Sequence, residues 1–115
     1  MKEISQEIEY KGKKYKLVFN LNVAEEIQEK YGSIEKWGSI IEPKKGDGNI
    51  KALKFGFMVM LNEGIDIANE ENGTNDAPLT LKQIGRILSE LGAEKAKSAL
   101  SNTVVNSTKS AEKNA

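Results

Sequence analysis

The densest apolar run in the chain is residues 50–63, IKALKFGFMVMLNE. Wound at helical pitch, it places Ile50, Leu53, Phe57, Met60 and Leu61 on one face and Ala52, Phe55 and Val59 over much of the other. Only a narrow polar strip remains, through Lys51, Lys54 and Asn62, with Met58 inside it. A helix that is apolar on two sides is sandwiched between other elements, so this segment is the expected centre of the core. Gly56 lowers its helix propensity but lets a neighbour approach closely. A buried strand over FMVML is the competing reading; the length of the run and the spacing of its lysines favour the helix. The run is too short, and too charged at its ends, to span a bilayer.

Period-two alternation precedes it. Ile4, Ile8 and Tyr10, then Tyr15, Leu17, Phe19 and Leu21, alternate with polar residues on either side of Lys11-Gly12-Lys13, which predicts a β-hairpin over residues 4–21. One side of it is dry, and the other is basic and wet through Lys14, Lys16 and Asn20. Two strands alone are marginal in water, so the dry side needs a helix or a second copy of the chain.

Helix signals then follow one another. Asn22 is a candidate N-cap, with Glu25 three residues on, for a helix over 23–31 that puts Val23, Ala24, Ile27 and Tyr31 on one stripe and stops at Gly32. Ser33 caps a short helix over 34–41 that holds the only tryptophan, Trp37. Pro43 and a polar, glycine-containing loop lead to the central run. After it, Ile65 and Ile67 extend the core or begin a loop, and residues 69–76 (NEENGTND) read as surface loop. Thr80 and Gln83 form a candidate capping box for a helix over 81–91 with the stripe Leu81, Ile84, Ile87, Leu88 and Leu91, ended by Gly92. Residues 93–100 predict one more helix, which Val104 and Val105 can extend. The layout is α+β: an N-terminal antiparallel β-hairpin, then four or five helices. One domain is expected over 1–100, with a polar, flexible C-terminal tail over 101–115. Leu17, Phe19, Ile27, Leu53, Phe57, Leu61, Ile84, Leu88 and Leu91 are the expected buried set.

Composition narrows the chemistry. In 115 residues the 17 lysines and arginines balance 17 aspartates and glutamates, so no global charge draws the chain to nucleic acid or an anionic membrane. Cysteine and histidine are both absent, which removes disulfides, thiolate chemistry, the commonest general base and the commonest transition-metal ligand. Met1-Lys2-Glu3 leads into no apolar stretch, so no secretion signal is expected and the sequons at Asn72 and Asn106 read as chance. The expected location is the cytoplasm.

Three local clusters remain. The oxygen-rich run 66–76 departs from the EF-hand pattern at Ala68 and Leu79 and reads as a solvated loop. Glu25, Glu26 and Glu29 read as a solvated helix face rather than paired catalytic carboxylates. Lys11, Lys13, Lys14 and Lys16 either meet a phosphate backbone or protect an edge hairpin from aggregation, and the second reading is preferred. Trp37, with Ile40 and Ile41, either closes the core or forms a binding patch, and the first reading is preferred. No catalytic residue, metal or cofactor is expected.

The order and texture of these pieces over about residues 4–100 resemble the tail assembly chaperones of long-tailed bacteriophages and related prophages of Gram-positive bacteria. The likeness runs through IEYKGKKYKLVFNLNVAEEIQEKYG, SIEKWGSII, KALKFGFMVMLNEG and PLTLKQIGRILSELG. It implies a non-enzymatic protein of the bacterial host cytoplasm that binds the tape measure protein during tail tube assembly. It also implies a possible frameshifted longer product whose added domain recruits the tail tube protein. The alternative is a small prophage-encoded DNA-binding or regulatory protein; against it, no predicted helix is basic on one face. For the chaperone reading, the expected partner-binding residues are the apolar ones not needed to close the core: Trp37, Ile40, Ile41, Met58 and Ile65. Weak homo-oligomerisation is expected from the exposed edges and uncovered dry face of the hairpin. No nucleic acid or membrane partner is expected.

Overall fold

Lys11 and Gly12, with φ of 51° and 78°, turn the chain through the two-residue connection that suits the right-handed twist of paired strands. They join β1 (Ser5–Tyr10) to β2 (Lys13–Val18), antiparallel, with Ile8 opposite Tyr15 and Gln6 opposite Leu17. The computed structural model describes residues 5–43, 46 and 48–113, the side chains of Ser5 and of residues 106–113 excepted. Ile4 and the ends of the chain therefore lie outside the described residues. Five helices follow the hairpin: α1 (Leu21–Tyr31), α2 (Ile34–Ile41), α3 (Ile50–Asn72), α4 (Leu81–Leu91) and α5 (Ala93–Lys113). The fold is α+β, a two-stranded hairpin with a small helical bundle.

The hairpin is shorter than the alternation predicts. The N-cap of α1 is Asn20, not Asn22: its backbone is extended and its Oδ1 accepts the Val23 N–H at 3.2 Å. The helix thus begins at Leu21, which falls on the first turn and is 88% exposed instead of lying on the dry face. Asn20 and Asn22 both donate their side-chain amides to Glu63, at 2.6 and 3.0 Å, tying the start of α1 to the middle of α3. Ile8 and Leu17 are buried within the single chain, so the dry side of the hairpin is covered without a second copy.

α3 is the centre of the molecule, packed against β2 and all four other helices. Asn49 caps it by accepting the Ala52 N–H at 3.0 Å. Ala52, Leu53, Phe57, Val59, Met60 and Leu61 are buried, from both sides of the helix, and residues 53–61 are helical throughout. Two glycines set how close its neighbours come. A Cβ on Gly56 would fall on Cζ2 of Trp37, and a Cβ on Gly64 would fall on the Lys16 carbonyl of β2. Gly64 therefore does not stop the helix. It is the contact with β2, and α3 runs on through Ile65 and Ile67 to a left-handed cap at Gly73.

The capping box of α4 forms as predicted: Gln83 N–H donates to Thr80 Oγ1 at 3.2 Å, and Thr80 N–H to Gln83 Oε1 at 2.8 Å. Ile84, Ile87 and Leu88 face the core. Phe19 and Leu91, expected to be buried, are half-buried at its rim, and Ile50, at the first position of α3, is 72% exposed. On α5, Ala96, Leu100 and Thr103 are buried. Thr103 can be, because its hydroxyl donates to the Ala99 carbonyl one turn back at 2.8 Å. Packing onto the core thus continues past residue 100, as far as Val104. The expected tail falls mostly beyond the described side chains.

Candidate protein-binding surface

Trp37 is held from two directions. Its Nε1–H donates to the Ala52 carbonyl at 3.0 Å, and its ring fills the notch at Gly56. It is 3% exposed, and Ile41, one turn on, is 4% exposed. Both are core residues, so the reading that leaves them free for a partner is corrected in part: most of their surface is used inside the molecule. The remainder lies at the bottom of a groove between α2 and α5 of about 240 Å³. Ile34, Trp37 and Ile41 form one wall; Leu100, Val104 and Val105 form the other. Glu42 and Lys97 mark one end, where a second, polar hollow adjoins through Pro43 and Gly48. The opposite end is apolar, and Val105 stands 44% exposed at its rim.

The other expected contact residues are dispersed. Ile40 is half-buried and packs against the core from α2. Met58, placed by the sequence on a polar strip, is also half-buried against the core; the strip is narrower than helical geometry alone implies, because so much of α3 is surrounded. Ile65 lines a separate cleft of about 270 Å³ with Val59, Pro78 and the carboxylates of Glu26, Glu63, Asp66 and Asp76. Among the described residues no three acidic side chains are grouped closely enough to hold a metal ion. The groove residues that sequence reasoning did not select are Ile34, Leu100, Val104 and Val105. The spacing of Leu100 and Val104, one helical turn apart, was the available signal.

The lysines of the hairpin do not form an unbroken basic surface. The register sets Lys16 opposite Glu7 and Lys14 opposite Glu9, while Lys13 Nζ lies 3.8 Å from Asp76. Lys11 and Lys13 also lie 5.4 and 5.5 Å from the ring centres of Tyr10 and Tyr15. Each lysine of the cluster therefore has an acidic or aromatic neighbour.

Among the described residues one titratable group is clearly perturbed: burial pushes the Tyr31 hydroxyl above the usual tyrosine value. Its ring meets Phe55 edge-on at 5.7 Å, and Lys30 Nζ lies 4.4 Å from the Phe55 ring centre. This arrangement joins α1 to α3 and leads into no cavity described above. No helix among the described residues is long and apolar enough to cross a membrane. In comparisons with known proteins, no family model, curated protein or solved structure matches the chain.

Proposed function

We propose that this protein is a phage or prophage tail assembly chaperone that acts in the bacterial host cytoplasm and covers the tape measure protein until the tail tube encloses it. The observation that carries the reading is the open apolar groove between α2 and α5, joined to the resemblance in sequence texture. A tape measure protein is long and helical, and an amphipathic helix exposes an apolar stripe until something covers it. Two helices that leave an apolar trough between them offer a third helix a place for residues at i, i+3 or i+4, and i+7. Binding of this kind needs shape and apolar surface, and no acid–base group or metal. Modest affinity at each site, repeated along the client, lets tube subunits displace the chaperone.

The test is co-expression with a tape measure protein encoded beside it, followed by affinity recovery of the complex. The wild-type chain should keep the client soluble and be recovered with it. Val105→Asp puts a charge on the groove rim at a position already 44% exposed, so it should reduce recovery while leaving the circular dichroism spectrum unchanged. A client that stays insoluble and unbound beside the wild-type chain would exclude this function.

A further inference from the structure

The hairpin has two edges, and the helices line one of them. Tyr10 and Lys13 flank the two-residue turn and so form the closing hydrogen-bonded pair; the bonded pairs then recur at Ile8–Tyr15 and Gln6–Leu17. The residues between them turn their N–H and C=O groups outward: Lys14 and Lys16 on β2, Glu7 and Glu9 on β1. On β2 the Lys16 carbonyl lies against Gly64, so α3 runs along that edge. α5 packs on β1 and β2 alike, so it is not confined to the outer edge of β1. Among the described residues, no backbone group outside the hairpin hydrogen-bonds to Glu7 or Glu9.

We propose that the outer edge of β1 receives an extended segment of a partner protein as a third strand, and that this segment carries lysine or arginine at alternate positions. Glu7 and Glu9 are both exposed and share one face. A strand added here sets its own side chains about 5 Å from theirs, where opposite charges attract and like charges repel. The molecule already contains the complementary pattern on the inner side. Lys14 and Lys16 of β2 lie opposite the two glutamates, while Tyr15 and Leu17 turn to the face of Ile8. A partner strand repeating basic and apolar residues extends both faces at once, and main-chain hydrogen bonds to the outward groups supply the rest of the affinity.

Charge also decides against a second copy as the occupant. Antiparallel pairing of β1 with β1 over most of its length sets Glu7 opposite either Glu7 or Glu9 of the other copy. The edge is thus guarded against itself and open to a basic strand. The surface shares no residue with the α2–α5 groove, and the proposal stands whether or not the chaperone function does.

The test uses the full chain labelled with ¹⁵N and two capped peptides, one alternating lysine with valine and the other alternating glutamate with valine. The lysine peptide should shift the Glu7 and Glu9 amide resonances, slow their hydrogen exchange and bind at least about tenfold more tightly than the glutamate peptide. Its advantage should shrink as salt is raised. The double variant Glu7→Lys, Glu9→Lys should reverse the preference, with circular dichroism confirming the fold. Equal binding of the two peptides, shifts centred away from β1, or slow exchange of the Glu7 and Glu9 amides in the unbound protein would overturn the proposal. The peptide comparison on the wild-type chain decides the matter even if the double variant does not fold.

Discussion

Trp37 occupies the space that a side chain at Gly56 would need, and its Nε1–H anchors it 3.0 Å from the carbonyl of Ala52, one turn earlier in α3. Gly56 is thus fixed by a neighbour and not by its own backbone conformation. Alanine is ordinarily the better helix former by about 1 kcal/mol. Here a Cβ meets the indole ring of a residue that is 3% exposed and tied to α3 by its own hydrogen bond, so the ring must shift within the packed core. Gly56→Ala should therefore destabilise the protein by about 1–3 kcal/mol, the usual range for an overpacked core. Urea unfolding followed by the fluorescence of Trp37, the sole tryptophan, measures the change, and a red-shifted native emission would report displacement of the ring.

Gly64 makes the same kind of contact with main chain in place of a side chain. Its partner is the Lys16 carbonyl, part of a paired strand that cannot rotate away. Gly64→Ala should cost at least as much as Gly56→Ala, and the damage should appear first as faster hydrogen exchange in the amides of β1 and β2. Slow, wild-type exchange across the hairpin in this variant would show that α3 and β2 are less tightly apposed than described.

These two glycines explain where sequence reading succeeded and where it failed. The start and middle of α3 are legible because apolar density on two faces leaves few other arrangements. Its end is not, because Gly64 and the polar run from Asn69 fit a loop as well as a helix, and only the position of β2 reveals Gly64 as a contact. α4 is legible to the residue, since the box of Thr80 and Gln83 is a local device that needs no tertiary information. The cap of α1 is ambiguous for the opposite reason: Asn20 and Asn22 are both good caps, and the choice depends on where the hairpin releases the chain. For the groove between α2 and α5, Trp37 and Ile41 lie one helical turn apart and line the same wall, but their exposure cannot be read from helical periodicity. The wall that faces them comes from α5, which is far away in the sequence.

Two asparagines, two turns apart on α3, hold the loop that follows it. Asn62 donates to the Leu79 carbonyl at 3.1 Å and accepts the Leu79 N–H at 2.7 Å. Asn69 donates to the Asp76 carbonyl at 3.0 Å, accepts the Asp76 N–H at 3.0 Å and accepts the Thr74 hydroxyl at 2.8 Å. Each side-chain amide thus pairs with both main-chain groups of one loop residue, so a segment that composition marks as free surface loop is pinned along the helix. Asn62→Ala should cost about 1–3 kcal/mol, because it leaves a half-buried main-chain pair unsatisfied. Asn69→Ala, at a more exposed site, should cost about 0.5–1.5 kcal/mol. Both variants should speed proteolysis between residues 73 and 80. Cleavage at the wild-type rate would mean that the loop is held by something other than these amides.

The hydroxyl of Tyr31 supplies a pH dependence whose sign follows from its environment. Burial disfavours the charged phenolate, so the folded-state value is raised above the unfolded one. A raised value on an acid favours the neutral form in the fold. The contribution of this group is therefore fully present below the unfolded tyrosine value of about 10, and is lost as pH rises from there through the folded value. Tyr31 is only partly buried, so the loss is small and confined to strongly alkaline solution. Spectrophotometric titration should show a late-ionising tyrosine component, and Tyr31→Phe should remove it. The same substitution should leave stability at neutral pH almost unchanged, because the edge-on contact with Phe55 is made by the ring and survives without the hydroxyl. A late component that persists in Tyr31→Phe would show that burial at the junction of α1 with α3 is not its cause.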